Sequence, residues 1–292
     1  MLFVVLAGLS GLVWGIGDFA GGKATQRAAA LPVVLLSKLF SLPLLALYLV
    51  LVPSPLETGS LAWGALSGLF GAVGVVVFYR ALSGGAMTVV APITSVTSAV
   101  IPVGVGLASG ERPGAVALVG VTCALAAIAL VSLAPPRPGT VSVVTTRLVV
   151  MAVVSGVGFA LFFVFLARAN GAAGGDAGLW PIASAQVAAL VLTAVLLLAA
   201  RTRRGAVPAC AGRPRGRALA WAAVAGPFDM SANALYLVAT RYGDLSLVAP
   251  LAALYPVTTV LLALVVEGEQ LRPLQVVGLV LALGALLLVS RP

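Results

Sequence analysis

The chain has 292 residues, of which 61% are hydrophobic and 9% charged, with a net charge of +9. A soluble domain carries about 25% charged residues, so this chain cannot cover a water-facing surface, and lipid must be the solvent for most of it. Its basic residues lie in the connections between apolar runs, the pattern of membrane loops, which argues against nucleic acid as a partner.

A helix crossing a bilayer needs about 20 apolar residues. In chain order the runs that meet this are 2–20, 31–51, 60–81, 87–107, 113–133, 148–167, 178–200, 218–240, 245–266 and 274–290. The expected fold is therefore an all-α membrane protein of ten transmembrane helices. The first run is expected to stay as a helix rather than to be a cleaved signal. No basic residue precedes Leu2, and Lys23 and Arg27 separate the run from the small residues Ala28 to Ala30. Connections are short except 201–217, so no sizeable soluble domain is inserted. Cys123 sits in an apolar run, Cys210 in an arginine-rich one, and there is no histidine. No disulfide, metal site or cofactor is expected.

The stretch from Trp63 to Ser132 occurs twice. A shift of 158 positions lays Trp63 on Trp221, Gly68 on Gly226 and Ala81 on Ala239. The same shift lays Val90-Ala91-Pro92 on Val248-Ala249-Pro250, Gly110-Glu111 on Gly268-Glu269 and Gly120 on Gly278. Trp, Pro, Gly and Glu all match without a gap, which apolar composition alone does not produce. The chain divides into a first repeat (1–134, helices 1–5), a linker (135–147) and a second repeat (148–292, helices 6–10) holding the basic loop 201–217. Each half holds five spans, an odd number, so the second is expected to enter the membrane from the opposite face. Inverted repeats of that kind build secondary transporters, with the binding site near the midplane.

Lysine and arginine set the orientation. Loops 21–30, 135–147 and 201–217 carry Lys23, Arg27, Arg137, Arg147 and six arginines between Arg201 and Arg217, whereas the opposite side has only Arg112, Arg168, Arg241 and Arg291. The positive-inside rule makes the first set cytoplasmic and places both termini outside a cell membrane.

The chain resembles the drug/metabolite transporter superfamily, in particular the ten-helix type built from two EamA repeats. The residues that carry the likeness are Trp14-Gly15 with Asp18-Phe19, Tyr79-Arg80-Ala81-Leu82, Val90-Ala91-Pro92-Ile93 and Gly110-Glu111 with Gly120. In the second repeat they are Val248-Ala249-Pro250-Leu251, Tyr255-Pro256 and Gly268-Glu269 with Gly278. The resemblance implies a permease moving small polar or amphipathic metabolites, often outward, by alternating access. It also implies cytoplasmic termini, opposite to what the loop charges give.

Three ionisable residues fall inside apolar runs: Asp18, Lys38 and Asp229. A charge at the bilayer centre costs about 2.5–3.5 kcal/mol on insertion scales, so such residues face a cavity or a partner. Asp229 lies halfway along its run, after Pro227, with Asn233 one turn on and Tyr236 a further turn on the same face. That stripe suits a cavity wall and a proton-binding carboxyl; it equally suits an interhelical hydrogen bond. Asp18 and Lys38 flank one loop at similar depth, where an ion pair, snorkelling or a gate are the readings. Pro92 and Pro250 stand at matching depths, with Pro102 and Pro256 beyond, and either break helices around a site or make packed kinks. Trp14, Phe78, Tyr255 and Gln186 complete the candidate cavity. Glu111 and Glu269 are expected at the interface, each opening the next helix with a favourable dipole term.

The expected function is a secondary transporter of a small metabolite, by proton coupling or exchange, with the bilayer and a small-molecule substrate as partners and self-association left open. The competing reading is a membrane-embedded enzyme or flippase acting on a lipid-linked substrate. Such an enzyme calls for clustered acids, His or a metal at headgroup depth, and this chain has isolated acids.

Overall fold

Apolar, alanine- and leucine-rich runs with few backbone-competing side chains form helices wherever lipid denies the backbone water. The computed structural model describes residues 1–82, 87–133, 145–172, 178–202, 214–267 and 272–291. Among them the regular structure is helical: α1 (Leu2–Thr25), α2 (Ala30–Phe40), α3 (Leu42–Leu51), α4 (Thr58–Leu82), α5 (Met87–Ala108), α6 (Ala115–Ser132), α7 (Thr146–Ala172), α8 (Trp180–Thr202), α9 (Arg217–Ala239), α10 (Leu245–Ala252), α11 (Tyr255–Leu262) and α12 (Pro273–Val289), with a π-helical turn over Ala263–Glu267 after α11. Linker residues 135–144, loop residues 203–213 with Cys210, and Glu269 lie outside the described residues.

Eight of the ten runs expected to span are long and apolar enough to cross a membrane, counting α2 with α3 and α10 with α11 as one span each. α12 is apolar but has 17 residues, and α9 carries Arg217, Pro227, Asp229 and Asn233 along its length. α9 packs on α1, α2 and α3, so protein rather than lipid meets much of its surface.

Two spans are broken, and neither break falls at Pro92 or Pro250, where the sequence allows either a broken helix or a packed kink. α5 runs unbroken through Pro92 and Pro102. Pro250 lies inside α10, and the chain leaves helical geometry at Ala253–Leu254, ahead of Tyr255-Pro256. A lone internal proline removes one hydrogen bond and the helix survives it as a kink. Pro256 instead stands in the first turn of α11, where its missing N–H would be unpaired anyway. Its counterpart in the first repeat is Ser98, 158 positions earlier, which can continue a helix. The other break falls at Ser41, between α2 and α3, where Pro43 opens α3 in the same manner.

The two halves exchange equivalent contacts. A Cβ on Gly120 of α6 would meet Leu288 and Val289 of α12; a Cβ on Gly278 of α12 would meet Leu130 and Val131 of α6. The start of each helix thus lies on the end of the other, so they pack antiparallel. Ser10 Oγ donates to the Ala232 carbonyl at 2.9 Å, and Ser155 Oγ to the Gly74 carbonyl at 2.9 Å. Gly68 abuts the Ala185 carbonyl as Gly226 abuts that of Ser37. Positions 74 and 232, like 68 and 226, are repeat counterparts. These small residues let backbones approach where lipid supplies no hydrophobic drive.

Candidate functional site

Gly226 is the local cause of the site. A Cβ there would lie 2.0 Å from the Ser37 carbonyl oxygen, so only glycine lets α9 settle this close to α2. From Gly17 of α1, the Asp229 amide is 3.3 Å from where a Cβ would stand. One turn past Gly226, Asp229 meets the residue after Ser37: Lys38 Nζ donates to Asp229 Oδ2 at 2.6 Å. The pairing of Lys38 with Asp18 across their shared loop is not what forms; its carboxylate partner is 191 residues away.

The pair is not sealed. Relative exposure is 21% for Lys38 and 35% for Asp229, although both lie within the helical bundle. Surface therefore remains on both side chains through which a further group can reach the pair. Asp18, next to Gly17, also keeps accessible surface while lying within electrostatic reach of Asp229, Lys38 and Tyr255. Lys38 is paired with Asp229, and Asp18 is a second carboxyl close by.

Neighbouring side chains hold this group in place. Gln186 on α8 donates through Nε2 to the Lys38 carbonyl at 2.8 Å and to Ser41 Oγ at 2.5 Å. Ser41 Oγ donates to the same carbonyl at 2.7 Å. The α2–α3 break leaves that carbonyl in need of donors, and Gln186 supplies one, fixing the backbone that carries Lys38. Asn233 Nδ2 donates to Asp229 Oδ2 at 3.3 Å, while its buried Oδ1 has no partner among the described residues. Tyr48 on α3 shares a 3.0 Å hydrogen bond with Ser231, beside Asp229 on α9. At the α10–α11 break, the Tyr255 side chain lies close to Ser95 and Ser98 of α5. Gly15 allows the Tyr255 carbonyl and Thr258 to reach α1, and Thr258 Oγ1 is also buried without a partner among the described residues. A polar atom left unpaired in the interior costs free energy, so Asn233 and Thr258 mark places where a bound polar group would be stabilised.

Other sequence candidates lie elsewhere. Tyr236 is fully buried and donates to the Phe163 carbonyl at 3.0 Å, and Trp14 packs against Phe162, Phe163 and Tyr236. Both are packing residues behind the site rather than cavity walls. Phe78 packs with Phe159 beside Ala81, Val90 and Ala152. Pro92 is half-buried in α5 and Pro250 buried in α10.

Glu111 does something the sequence did not disclose. Instead of opening its own next helix, it accepts from the Leu245 and Ser246 amides of α10 at 2.9 and 2.8 Å. It thereby caps a helix of the other half whose N-cap residue, Asp244, makes no side-chain cap. Burial, and then the neighbouring Glu111 carboxylate, push the Asp244 carboxyl above its usual range. Gly106 leaves the room, since a Cβ there would collide with Glu111 Oε2. A glutamate after a glycine turn signals an interfacial acid but cannot say which helix it caps.

The family comparison matches the EamA-like transporter family over residues 1–133 and 146–291. Among curated proteins, none matches the sequence. A solved structure described only as "Crystal structure of protein" superimposes with a TM-score of 0.73 at 17% identity, covering 98% of this chain and 96% of that one. At that identity the likeness speaks to the fold alone. With the family match covering both halves of a chain whose helices are built to cross a bilayer, this multi-pass membrane protein belongs to the EamA-like transporter family of the drug/metabolite transporter superfamily.

Proposed function

We propose that the protein is a secondary transporter that binds a small metabolite beside the Lys38–Asp229 pair and moves it by alternating access. The observation that carries this reading is the Lys38–Asp229 ion pair within the bundle, both side chains keeping exposed surface, with the Asp18 carboxyl close by. Intramembrane charges persist where they serve a substrate or ion path. A second carboxyl beside an ion pair suits a proton that enters when substrate leaves, or a cationic or amine-bearing substrate.

The antiparallel, reciprocal packing of α6 and α12 supports an inverted relation between the halves, with ten spans in all. Two inverted halves have two interconvertible arrangements, which is the physical basis of alternating access. The charge asymmetry of the loops supports a cell-membrane orientation with Lys23, Arg27 and Arg217 at the cytoplasmic face. On that orientation the Glu111 clamp on α10 closes the opposite face.

The test is a metabolite screen in proteoliposomes, with and without a pH gradient, comparing cationic, zwitterionic and anionic compounds. Uptake or exchange of a cationic or zwitterionic compound is the expected result. Transport restricted to anions would overturn the charge argument.

A further inference from the structure

Glu111 follows the turn after α5 in the first half of the chain, yet both its carboxylate oxygens serve the second half. Oε1 accepts from the Leu245 amide at 2.9 Å and Oε2 from the Ser246 amide at 2.8 Å. Arg112 Nη1 donates to the Leu107 and Glu111 carbonyls at 3.3 and 3.0 Å, bracing the turn that presents Glu111. The helix so held is short. α10 has eight residues and ends at the non-helical Ala253–Leu254, which gives it a hinge. It lies mainly on α1, α5 and α6, and only lightly on α9 and α12 of its own half. α10 is therefore an arm of one half docked on the other.

The same helix start carries a second carboxyl. Asp244 is its N-cap residue, and its φ of −61° and ψ of 144° are those of a residue that caps. Such a side chain accepts from an amide two or three residues on. Both amides are taken: Ser246 donates to Glu111, and Leu247 donates to the Asp244 carbonyl at 3.0 Å. The Asp244 side chain accordingly caps nothing and stays exposed. Burial, and then the Glu111 charge, hold its carboxyl above the usual range, so two acids contend for one positive helix end. Resting on the alternating-access reading, we infer that α10 is a gate that works by exchange of caps. With Glu111 on the Leu245 and Ser246 amides the two halves are latched and the gate is shut. When the halves part, Glu111 withdraws, Asp244 takes the Ser246 amide, and α10 swings at Ala253–Leu254. The local cap offsets part of the cost of losing the latch, which keeps the two arrangements close in free energy.

Ser246 supplies the reporter, because its side chain is fully buried and its Oγ has no partner among the described residues. Ser246→Cys is placed in the whole protein with Cys123→Ala and Cys210→Ala, and its reaction with a maleimide is timed in proteoliposomes without substrate. Glu111→Gln keeps one acceptor and should speed the reaction about tenfold. Asp244→Ala removes the cap of the open state and should slow it about fivefold. Asp244→Asn, which also caps, should stay near the parent. The sign of the Asp244→Ala effect separates a latch from simple fraying of α10, since fraying would be unchanged or faster without Asp244. Unchanged labelling in Glu111→Gln would overturn the inference. So would labelling in Asp244→Ala that equals or exceeds the parent's, or Asp244→Asn behaving as Asp244→Ala does. No substrate enters this measurement, so unaltered labelling leaves the transporter reading standing, and a metabolite screen without flux leaves the labelling result standing.

Discussion

Replacing Lys38 by Met keeps much of its volume and removes its charge, leaving Asp229 with Asn233 as its nearest donor. At 2.6 Å and an effective dielectric of about 20, the gross attraction lost is about 6 kcal/mol. Both groups pay desolvation to form the pair, which offsets most of that. Removing one partner of a fully buried pair costs about 3–5 kcal/mol. With Asp229 35% exposed and Lys38 21% exposed, water and protonation relieve part of the penalty, and about 1–3 kcal/mol remains. The thermal midpoint in detergent should fall by about 2–6 °C. Adding Asp229→Asn removes the orphaned charge, so the double variant should recover most of the loss and show a coupling of about 1–3 kcal/mol. If the two single effects simply add, the pair is not an energetic unit and the site as described here is wrong.

Gly226→Ala places a Cβ 2.0 Å from the Ser37 carbonyl, so it should separate α9 from α2 and lower stability by about 2 kcal/mol or more. Gly284→Ala, with nothing within 4 Å, should be neutral or stabilising by up to about 1 kcal/mol in the same melts. Glu111→Ala leaves the Leu245 and Ser246 amides unserved and should cost about 1–2 kcal/mol, read as faster hydrogen exchange at the start of α10 than in Glu111→Gln, which keeps one acceptor. For orientation, a membrane-impermeant maleimide should label Cys210 after permeabilisation and leave it unlabelled in sealed cells; labelling in sealed cells would reverse the charge-based topology.

The apolar runs and the 158-residue repeat made the helices and their duplication legible, because membrane solvent permits few other solutions. Asp18, Lys38, Asp229 and Gln186 stood out for the same reason: each is expensive in an apolar run. What the sequence withheld is partnership. Periodicity put Asp229, Asn233 and Tyr236 on one face of α9 but not what that face meets. Asp229 turned out beside a lysine of α2 and Tyr236 beside the packed rings of Trp14 and Phe163. Proline repetition drew attention to Pro92 and Pro250, yet the helix breaks at the unrepeated Pro256.

The site itself arises where the repeat fails. Reciprocal contacts pair Ser37 with Ala185, which makes Gln186 the counterpart of Lys38. The counterpart of Asp229 is Gly71. Repetition builds the scaffold, and the charged chemistry stands on one side of it.

The central claim is that the carboxylate at position 229 takes part in moving substrate, and Asp229→Asn tests it most directly because the change keeps size and removes titration. Flux of an identified substrate into proteoliposomes should be measured under a pH gradient and as gradient-free exchange. The account predicts that the variant loses gradient-driven flux while still exchanging substrate, or, if the carboxylate neutralises substrate charge, loses binding of cationic substrate at every pH. Full gradient-driven flux at normal affinity would contradict it and leave Asp229 a packing residue.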